Sequence, residues 1–204
     1  MKHKLLTMLQ MQDEMNTRVH PVWREQGYEW YRAIWVECAE LMDHYGWKWW
    51  KKQSPDRDQV VLELIDIWHF GLSDLLKDGT HAEAIAEQLQ QALSDTSDSG
   101  TDFRLLVEAF AQQTLVTRRF DPVSFHKLLL SMDISVENLY RSYVGKNVLN
   151  FFRQDKGYKE GSYVKVWNGQ EDNVHLVEIL DSLDSNSPSY RDDVYVALLQ
   201  RYPV

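Results

Sequence analysis

The sequence predicts an all-α protein, and two observations support that prediction. Nearly every periodic segment repeats its apolar residues at intervals of three and four, which places them on one face of a helix. Only the short stretch YVKVW, residues 163–167, alternates in the manner of a strand. With 204 residues, of which 44% are hydrophobic, the chain is long enough for a sizeable core. We therefore expect one all-α domain over residues 1–204.

Composition excludes several classes of protein. The formal net charge of −9 argues against non-specific nucleic-acid binding, which depends on neutralising phosphates. It leaves room for a small anionic substrate that arrives with a metal ion. No apolar run approaches the length of a signal peptide or a membrane span. The one cysteine, Cys38, cannot form an internal disulfide, so we expect a small core residue and a cytoplasmic protein.

The first helix is predicted over residues 4–17. Leu5, Leu9, Gln12 and Asn16 follow one face of it, so the two amides are neighbours four residues apart. Each amide offers a donor and an acceptor, and together they could read the O2, N3–H and O4 edge of uracil. The alternative is a pair of exposed polar side chains on a helix.

Two long helices are predicted next, over residues 22–45 and 56–77. The first of them could be broken near Gly27, Gly46 is a plausible helix stop, and Ser54-Pro55-Asp56 reads as the start of the second helix. A short connection makes such helices antiparallel. The tryptophans of the connection, within residues 47–50, could bury a large area or stack on a base, and we expect most of them to latch the two helices together.

Each long helix carries two acidic residues three positions apart, which share a helix face. The pairs are Glu37 with Glu40 and Glu63 with Asp66. The second pair lies in VVLELIDIWHF, where an almost wholly apolar helix predicts burial. Buried carboxylates need partners, and an all-oxygen cage suits Mg²⁺. Salt bridges are the alternative explanation. His69, one turn after Asp66, is a possible fifth ligand or a core histidine.

Residues 79–135 predict further helices without recognisable chemistry, separated by a polar loop at residues 94–102. Residues 136–173 are different, because six basic and only two acidic residues lie between Arg141 and Lys165. Lys146, Asn150 and Arg153 fall on one helix face and could clamp phosphate. A glycine-containing loop follows, which could close over a substrate. A basic surface that balances acidic neighbours is the alternative. Two more helical stretches complete the chain.

The acidic pattern resembles the all-α nucleoside triphosphate pyrophosphohydrolases of the MazG-like group, and within it the dimeric dUTPase family. The matching segments are LQMQDEMN, RAIWVECAELMDHYGWKWWK, ELIDIWHF and KNVLNFFRQDKGYKEGSYVKVWNGQEDN. The resemblance implies a helical bundle of that type, a homodimer, and hydrolysis of dUTP and dUDP to dUMP with two or more Mg²⁺ ions. The implied metal ligands are Glu37, Glu40, Glu63 and Asp66. The implied substrate contacts are Gln12, Asn16, Trp50, His69, Lys146, Asn150, Arg153, Tyr158, Lys159, Lys165 and Asn173.

Glu40 is our candidate for the general base, because it lies at the edge of the buried stripe, where metal and water can meet. Two other functions stay open. One is a related enzyme that cleaves dCTP or a damaged nucleotide. The other is a non-catalytic helical bundle with a structural or redox metal. The Glu-x-x-His pairs typical of redox carboxylate bundles are missing from these two helices, which argues against iron chemistry.

Overall fold

The computed structural model describes residues 1–94 and 100–203. Over these residues the chain forms nine α-helices, one short 3-10 helix and one two-stranded hairpin, which confirms the all-α prediction. Two compact units are present, Met1–Tyr140 and Arg141–Val204. The expectation of a single domain stays a prediction. Residues 95–99, most of the predicted polar loop, lie outside the described residues. Among the described residues, no helix combines the length and apolar character needed to cross a bilayer.

The first unit contains six complete helices and the start of a seventh. Their bounds are α1 Lys2–Val19, α2 Trp30–Tyr45, α3 Arg57–Leu76, α4 Ala82–Ala92, α5 Phe103–Thr117 and α6 Pro122–Ser131, and α7 begins at Val136. The predicted break near Gly27 is real: a 3-10 helix, Trp23–Gln26, ends at Gly27, whose φ of +65° favours glycine. The helix that carries the first acidic pair therefore begins at Trp30 rather than at residue 22.

The core of this unit is built around Trp68 of α3, which is fully buried. Its ring stacks on Phe125 of α6 with centroids 5.3 Å apart. Its indole N–H points at the sulfur of Met8 in α1, at 3.4 Å. One large aromatic side chain thus joins three helices, and aromatic rings of this size dominate the energetics of a core. The opposite edge of α3 is left for its polar residues.

Helices α2 and α3 pack antiparallel, as the sequence predicts. Trp30 at the start of α2 stacks on Phe70 near the end of α3, with centroids 6.3 Å apart. His44 at the end of α2 lies instead beside Glu63, in the second turn of α3. Asp56 begins α3 by accepting the Gln59 N–H at 3.3 Å. The four acidic residues are thereby brought to the same stretch of the helix pair.

The prediction that most tryptophans of the connection pack α2 and α3 together is wrong. Trp47, Trp49 and Trp50 are all exposed, Trp49 to 89%, because the short connection offers them no core to enter. Gln53 holds the connection instead, since its side-chain oxygen accepts the Lys48 N–H at 2.7 Å.

Gly46 makes this tight connection possible. Its φ is +93°, and an added Cβ would lie 2.9 Å from Cβ of Gln53. The backbone oxygen of Gly46 accepts a hydrogen bond from Nε of Arg104 in α5 at 2.8 Å. Gly46 therefore ends α2 as predicted and also joins the connection to α5.

Cys38 of α2 is buried, as expected of a small core residue. Burial, with the charge of neighbouring Glu37 adding to it, raises the pKa of the Cys38 thiol to about 12. The thiol is therefore neutral at physiological pH and has little nucleophilic character.

The second unit contains the rest of α7, which ends at Asp155, followed by the hairpin and two helices. Their bounds are β1 Val166–Trp167, β2 Gln170–Glu171, α8 Asp172–Ser182 and α9 Tyr190–Arg201. The strands pair antiparallel, Val166 with Glu171 and Trp167 with Gln170. Asn168 and Gly169 both have positive φ, as a two-residue Asn-Gly hairpin turn requires. Trp167, fully buried, anchors the hairpin by stacking on His175, with centroids 5.1 Å apart.

Candidate active site

Three carboxylates converge between α2 and α3. Glu37, Glu63 and Asp66 each offer an oxygen, and these oxygens all lie within 4.8 Å of one another. Glu63 is buried, while Glu37 and Asp66 are half-buried. The i, i+3 spacing puts Glu63 and Asp66 on the same face of α3, and antiparallel packing brings Glu37 of α2 opposite them. We call Glu37, Glu63 and Asp66 the acidic cluster.

The acidic cluster is electrostatically strained. Burial raises the pKa of Glu37 from 4.5 to about 8, and a hydrogen bond with Glu63 and the charges of Asp66, Glu63 and Glu40 add to the rise. Two carboxyl groups can hydrogen bond to each other only when one of them carries a proton. In the absence of a cation, therefore, the cluster holds a proton near neutral pH.

The donor set fits a hard divalent cation. All three groups are oxygen donors, which Mg²⁺ prefers, and a cation between them would replace the proton that the repulsion otherwise demands. Among the described residues, no histidine or cysteine belongs to this group of ligand atoms. That composition disfavours the softer transition metals.

Glu40 lies outside the acidic cluster but close enough to influence it. It is exposed, one helical turn after Glu37, and its charge contributes to the raised pKa of Glu37. An exposed carboxylate beside a buried cluster is open to water. Its assignments as fourth metal ligand and as general base stay predictions.

His44 is a neighbour of the cluster that sequence reasoning missed. Its Nε2 lies 3.5 Å from Oε1 of Glu63, and its side chain is about one third exposed, at 36%. The signal was its position seven residues, or two turns, after Glu37, which keeps both residues on the same helix face. When protonated, His44 would place a positive charge against Glu63.

A second, fully polar group lies between α1 and α3. Gln12, Asn16, His69 and Ser73 are all buried, and we call them the amide cluster. Gln12 Nε2 donates to Asn16 Oδ1 and to Ser73 Oγ, both at 3.0 Å. Asn16 Nδ2 lies 3.0 Å from the same hydroxyl oxygen. The predicted neighbourhood of Gln12 and Asn16 is therefore present, but the two side chains are buried rather than exposed.

The amide cluster fixes the orientation of His69. With both N–H groups of Gln12 engaged, its Oε1 is an acceptor, and it lies 2.8 Å from Nδ1 of His69. Nδ1 of His69 must therefore carry the proton. Ser73, which sequence reasoning missed, donates to the backbone oxygen of His69 at 3.0 Å. Its signal was the i+4 spacing from His69 along a buried face. His69 belongs to this cluster and not to the acidic cluster.

Trp50, the candidate nucleoside contact, is 57% exposed. Its ring meets those of Trp47 and Trp49 edge-on, with centroids 5.2 and 5.3 Å away. More than half of the Trp50 side chain is therefore open to solvent, and its assignment as a nucleoside contact stays a prediction.

In the second unit, the predicted clamp residues differ in their surroundings. Lys146 is buried, Asn150 is half-buried, and Tyr158 and Lys159 are exposed. Lys165 forms an exposed ion pair with Glu171 at 3.2 Å. Asn173 is half-buried, and none of the described residues hydrogen bonds to its Oδ1. Arg153 Nη1 donates to Asn150 Oδ1 at 3.2 Å, so these two are brought together as predicted.

Arg153 has a strong partner that the sequence did not reveal. Its Nε and Nη2 donate to the two oxygens of the fully buried Asp172, at 2.8 and 2.9 Å, and Tyr163 Oη donates to Asp172 at 2.8 Å. Burial alone would raise the pKa of Asp172, but the hydrogen bonds and charge of Arg153, with Tyr163, outweigh it and lower the pKa. Asp172 is 19 residues from Arg153, so no helical spacing relates the two.

Comparison with known proteins identifies one family that matches this chain. No curated protein gives a significant match to the chain. A profile of the dUTPase family matches residues 4–158. The match includes the acidic cluster, the amide cluster, Trp50 and α7, and it ends before Lys159, Lys165 and Asn173. It spans well over half of the sequence, and it agrees with the all-α fold and with the acidic pattern on α2 and α3. The chain therefore belongs to the dUTPase family, and its activity is that of a nucleoside triphosphate pyrophosphohydrolase that hydrolyses dUTP to dUMP and pyrophosphate.

Proposed function

We propose that this dUTP diphosphatase depends on Mg²⁺ held by the acidic cluster together with Glu40. The observation that carries the proposal is the convergence of Glu37, Glu63 and Asp66 within 4.8 Å, with the pKa of Glu37 raised to about 8. When bound there, Mg²⁺ ions neutralise the charge of the phosphates and make a water molecule more acidic.

The chain's own residues would divide the remaining work. Glu40, exposed at the edge of the cluster, accepts the proton of the attacking water as general base. His44, beside Glu63, orients that carboxylate. Lys146, Arg153 and Lys165 bind phosphate oxygens and stabilise the charge that develops on them. Asn150, Tyr158, Lys159 and Asn173 are proposed as further contacts to the substrate in the same unit.

The amide cluster is proposed to recognise the base. Gln12 and Asn16 are amides whose donors and acceptors match those of uracil, and on binding they would exchange their present hydrogen bonds with each other and with Ser73 for hydrogen bonds to the base. A buried site that hydrogen bonds to a base discriminates strongly, because a mismatched base leaves polar groups unpaired. Trp50 would stack on the nucleoside. Cytosine presents the wrong pattern at N3 and at the 4-position, so dCTP is expected to be a poor substrate.

Acceptance of dUDP, a homodimer and a cytoplasmic location are further parts of the proposal. A site that binds phosphates mainly through metal and cationic side chains tolerates a shorter phosphate chain. Helix α5 exposes Leu105 and Val116, three turns apart on one face, which supports a partner chain. The buried, single Cys38 is consistent with a reducing compartment.

The test is a measurement of pyrophosphate release from dUTP, dCTP, dTTP and UTP, with Mg²⁺ or with a chelator. We expect cleavage of dUTP alone, lost on chelation and lost in Glu63→Gln. Glu83→Gln, on the exposed face of α4, is the matched control and should keep full activity. Equal rates with and without chelator would refute the metal proposal, whereas cleavage of dCTP would refute the role of the amide cluster.

Glu40 is tested separately. Glu40→Gln removes the base but keeps the shape of the side chain, so it should bind dUTP and lose most turnover. Near-normal turnover would remove Glu40 from the base role while leaving the metal proposal intact. Phosphate release from dUDP by the unmodified protein tests the acceptance of the diphosphate.

A further inference from the structure

The first unit contains a cavity that the proposed activity does not use. It lies where the 3-10 helix and the start of α2 meet the C-terminal end of α3, and its volume is about 370 Å³. Cavities of roughly 300–1,000 Å³ are the ones that hold small-molecule ligands. The described residues that line it include no member of the acidic cluster or of the amide cluster.

The walls of this cavity are aromatic and rigidly held. Trp30 meets Trp23 and Tyr28 edge-on, with centroids 6.0 and 5.5 Å away. The ring of Trp30 also stacks on Phe70, with centroids 6.3 Å apart. Trp23 is buried, and its indole N–H donates to Asp13 at 3.0 Å. Fixed aromatic faces at the rim of a cavity suit a planar ring, because stacking then costs little side-chain entropy.

Two of the cations in the lining are already neutralised. Arg24 pairs with Asp13 at 2.9 Å, and its Nε donates to the backbone oxygen of Leu76 at 3.2 Å. Lys77 pairs with the fully buried Asp74 at 2.6 Å. These two side chains stabilise the fold, and because their positive charges are already paired they attract an anionic ligand only weakly.

Arg118 is different. Its guanidinium lies over the ring of Tyr31, 5.7 Å from the centroid. No side chain in the described part of the chain forms a hydrogen bond or an ion pair with it. A guanidinium presented over an aromatic ring, at the edge of a cavity, is poised for a carboxylate or phosphate group.

The backbone at Arg118 strengthens this interpretation. Arg118 follows the last residue of α5 and has φ +54°, a left-handed conformation in which glycine is the usual residue. Arginine is strained there, so its presence is not explained by the helix end. Of the described non-glycine residues with positive φ, which are Arg118, Asp133 and Asn168, Arg118 alone lines the cavity.

We propose that this cavity binds a small planar aromatic anion, with its ring against Tyr28 and Trp30 and its anionic group on Arg118. A nucleoside monophosphate and an aromatic carboxylate share this chemistry. The proposal does not depend on the acidic cluster or on Mg²⁺, so it can fail while the proposed function holds, and the reverse.

The experiment is calorimetric titration of the full chain, with chelator present, using AMP, benzoate and adenosine as probes. Arg118→Gly is the decisive variant, because glycine suits the backbone at this position and the variant should fold. Asp133→Gly is the matched control, since Asp133 has almost the same φ, +53°, and does not line the cavity. Tyr28→Ala tests the ring, which is 41% exposed and therefore dispensable for folding.

We expect AMP or benzoate to bind and adenosine to bind at least tenfold more weakly than AMP. Arg118→Gly should weaken anion binding at least tenfold, and Tyr28→Ala should weaken it as well, while Asp133→Gly leaves it unchanged. Tighter binding of AMP would identify the ligand as a nucleoside monophosphate, and tighter binding of benzoate would identify it as an aromatic carboxylate. Failure of both anions to bind, equal binding of adenosine and AMP, or an unchanged affinity in Arg118→Gly would overturn the proposal. Hydrolysis of dUTP by each variant is measured separately.

Discussion

Adding Mg²⁺ to the metal-free protein at pH 7 should release close to one proton per acidic cluster. With the pKa of Glu37 at about 8, roughly ten molecules carry the proton for each one that does not, so the cluster holds about 0.9 proton. Metal binding requires the ionised carboxylate and expels that proton. At pH 9 the same arithmetic leaves only about 0.1 proton to release.

Calorimetric titration with Mg²⁺ in two buffers of different protonation enthalpy measures this release directly. Glu37→Gln, which has no proton to lose, should release almost none at either pH, and Glu83→Gln should behave as the unmodified protein does. A release at pH 7 that is no larger than the release at pH 9 would refute the argument from mutual repulsion.

The same shift predicts how pH affects the stability of the metal-free protein. The pKa of Glu37 in the folded protein lies above its ordinary value of 4.5. The contribution of Glu37 to the free energy of unfolding is therefore fully present below pH 4.5 and is lost as the pH rises through 8. Urea denaturation with chelator should therefore show a decline over this range that Glu37→Gln reduces. A decline of equal size in the variant would assign the effect to other groups.

Three further predictions concern the framework of the site. Asp74→Ala breaks a buried ion pair with Arg119 and should lower the free energy of unfolding, measured by urea denaturation, by about 3–5 kcal/mol. Asp78→Ala removes an exposed partner of the same arginine and should lower it by at most about 1 kcal/mol. Equal losses in the two variants would contradict the burial argument. Gly71→Ala places a Cβ 2.8 Å from a phenyl ring and should cost about 1–3 kcal/mol, so an unchanged denaturation midpoint would show that the ring moves freely. Because the pKa of Asp172 is lowered, its contribution to the free energy of unfolding is present above the ordinary carboxyl range and is lost as the pH falls. Asp172→Asn should therefore make the denaturation midpoint less sensitive to acid.

The sequence was informative where local spacing decides the structure. The apolar surroundings of Glu63 and Asp66 predicted their burial, the short connection between two antiparallel helices predicted that they would face Glu37, and the structure brings these three together. Gln12 and Asn16 were likewise predicted as neighbours from their spacing. In both cases the spacing along a helix face places the neighbours, and for the acidic cluster the antiparallel pairing of α2 and α3 supplies the rest.

It was less informative where the structure depends on distant partners. Nothing local relates Arg153 to Asp172, and the hydrogen bonds of Ser73 with Gln12 and Asn16 join residues 61 and 57 positions apart. The tryptophans at residues 47–50 misled, because hydrophobic side chains are buried only where a core exists to receive them. His44 was missed because its spacing of two turns from Glu37 was its one signal, and that spacing is not distinctive for a single histidine.

The Arg153–Asp172 pair has a consequence for the segment between its two residues. It joins the end of α7 to the start of α8, and Tyr163 from the middle of the segment bonds to the same carboxylate. The two ends of the segment are therefore held together by Arg153 and Asp172, and its middle is held to the same point by Tyr163. These contacts divide the segment into two short arcs. Arcs of this kind have lost much of their conformational entropy before any ligand arrives, so residues on them, including Lys159 and Lys165, can engage a ligand with a smaller ordering penalty than residues on an untethered loop of the same length.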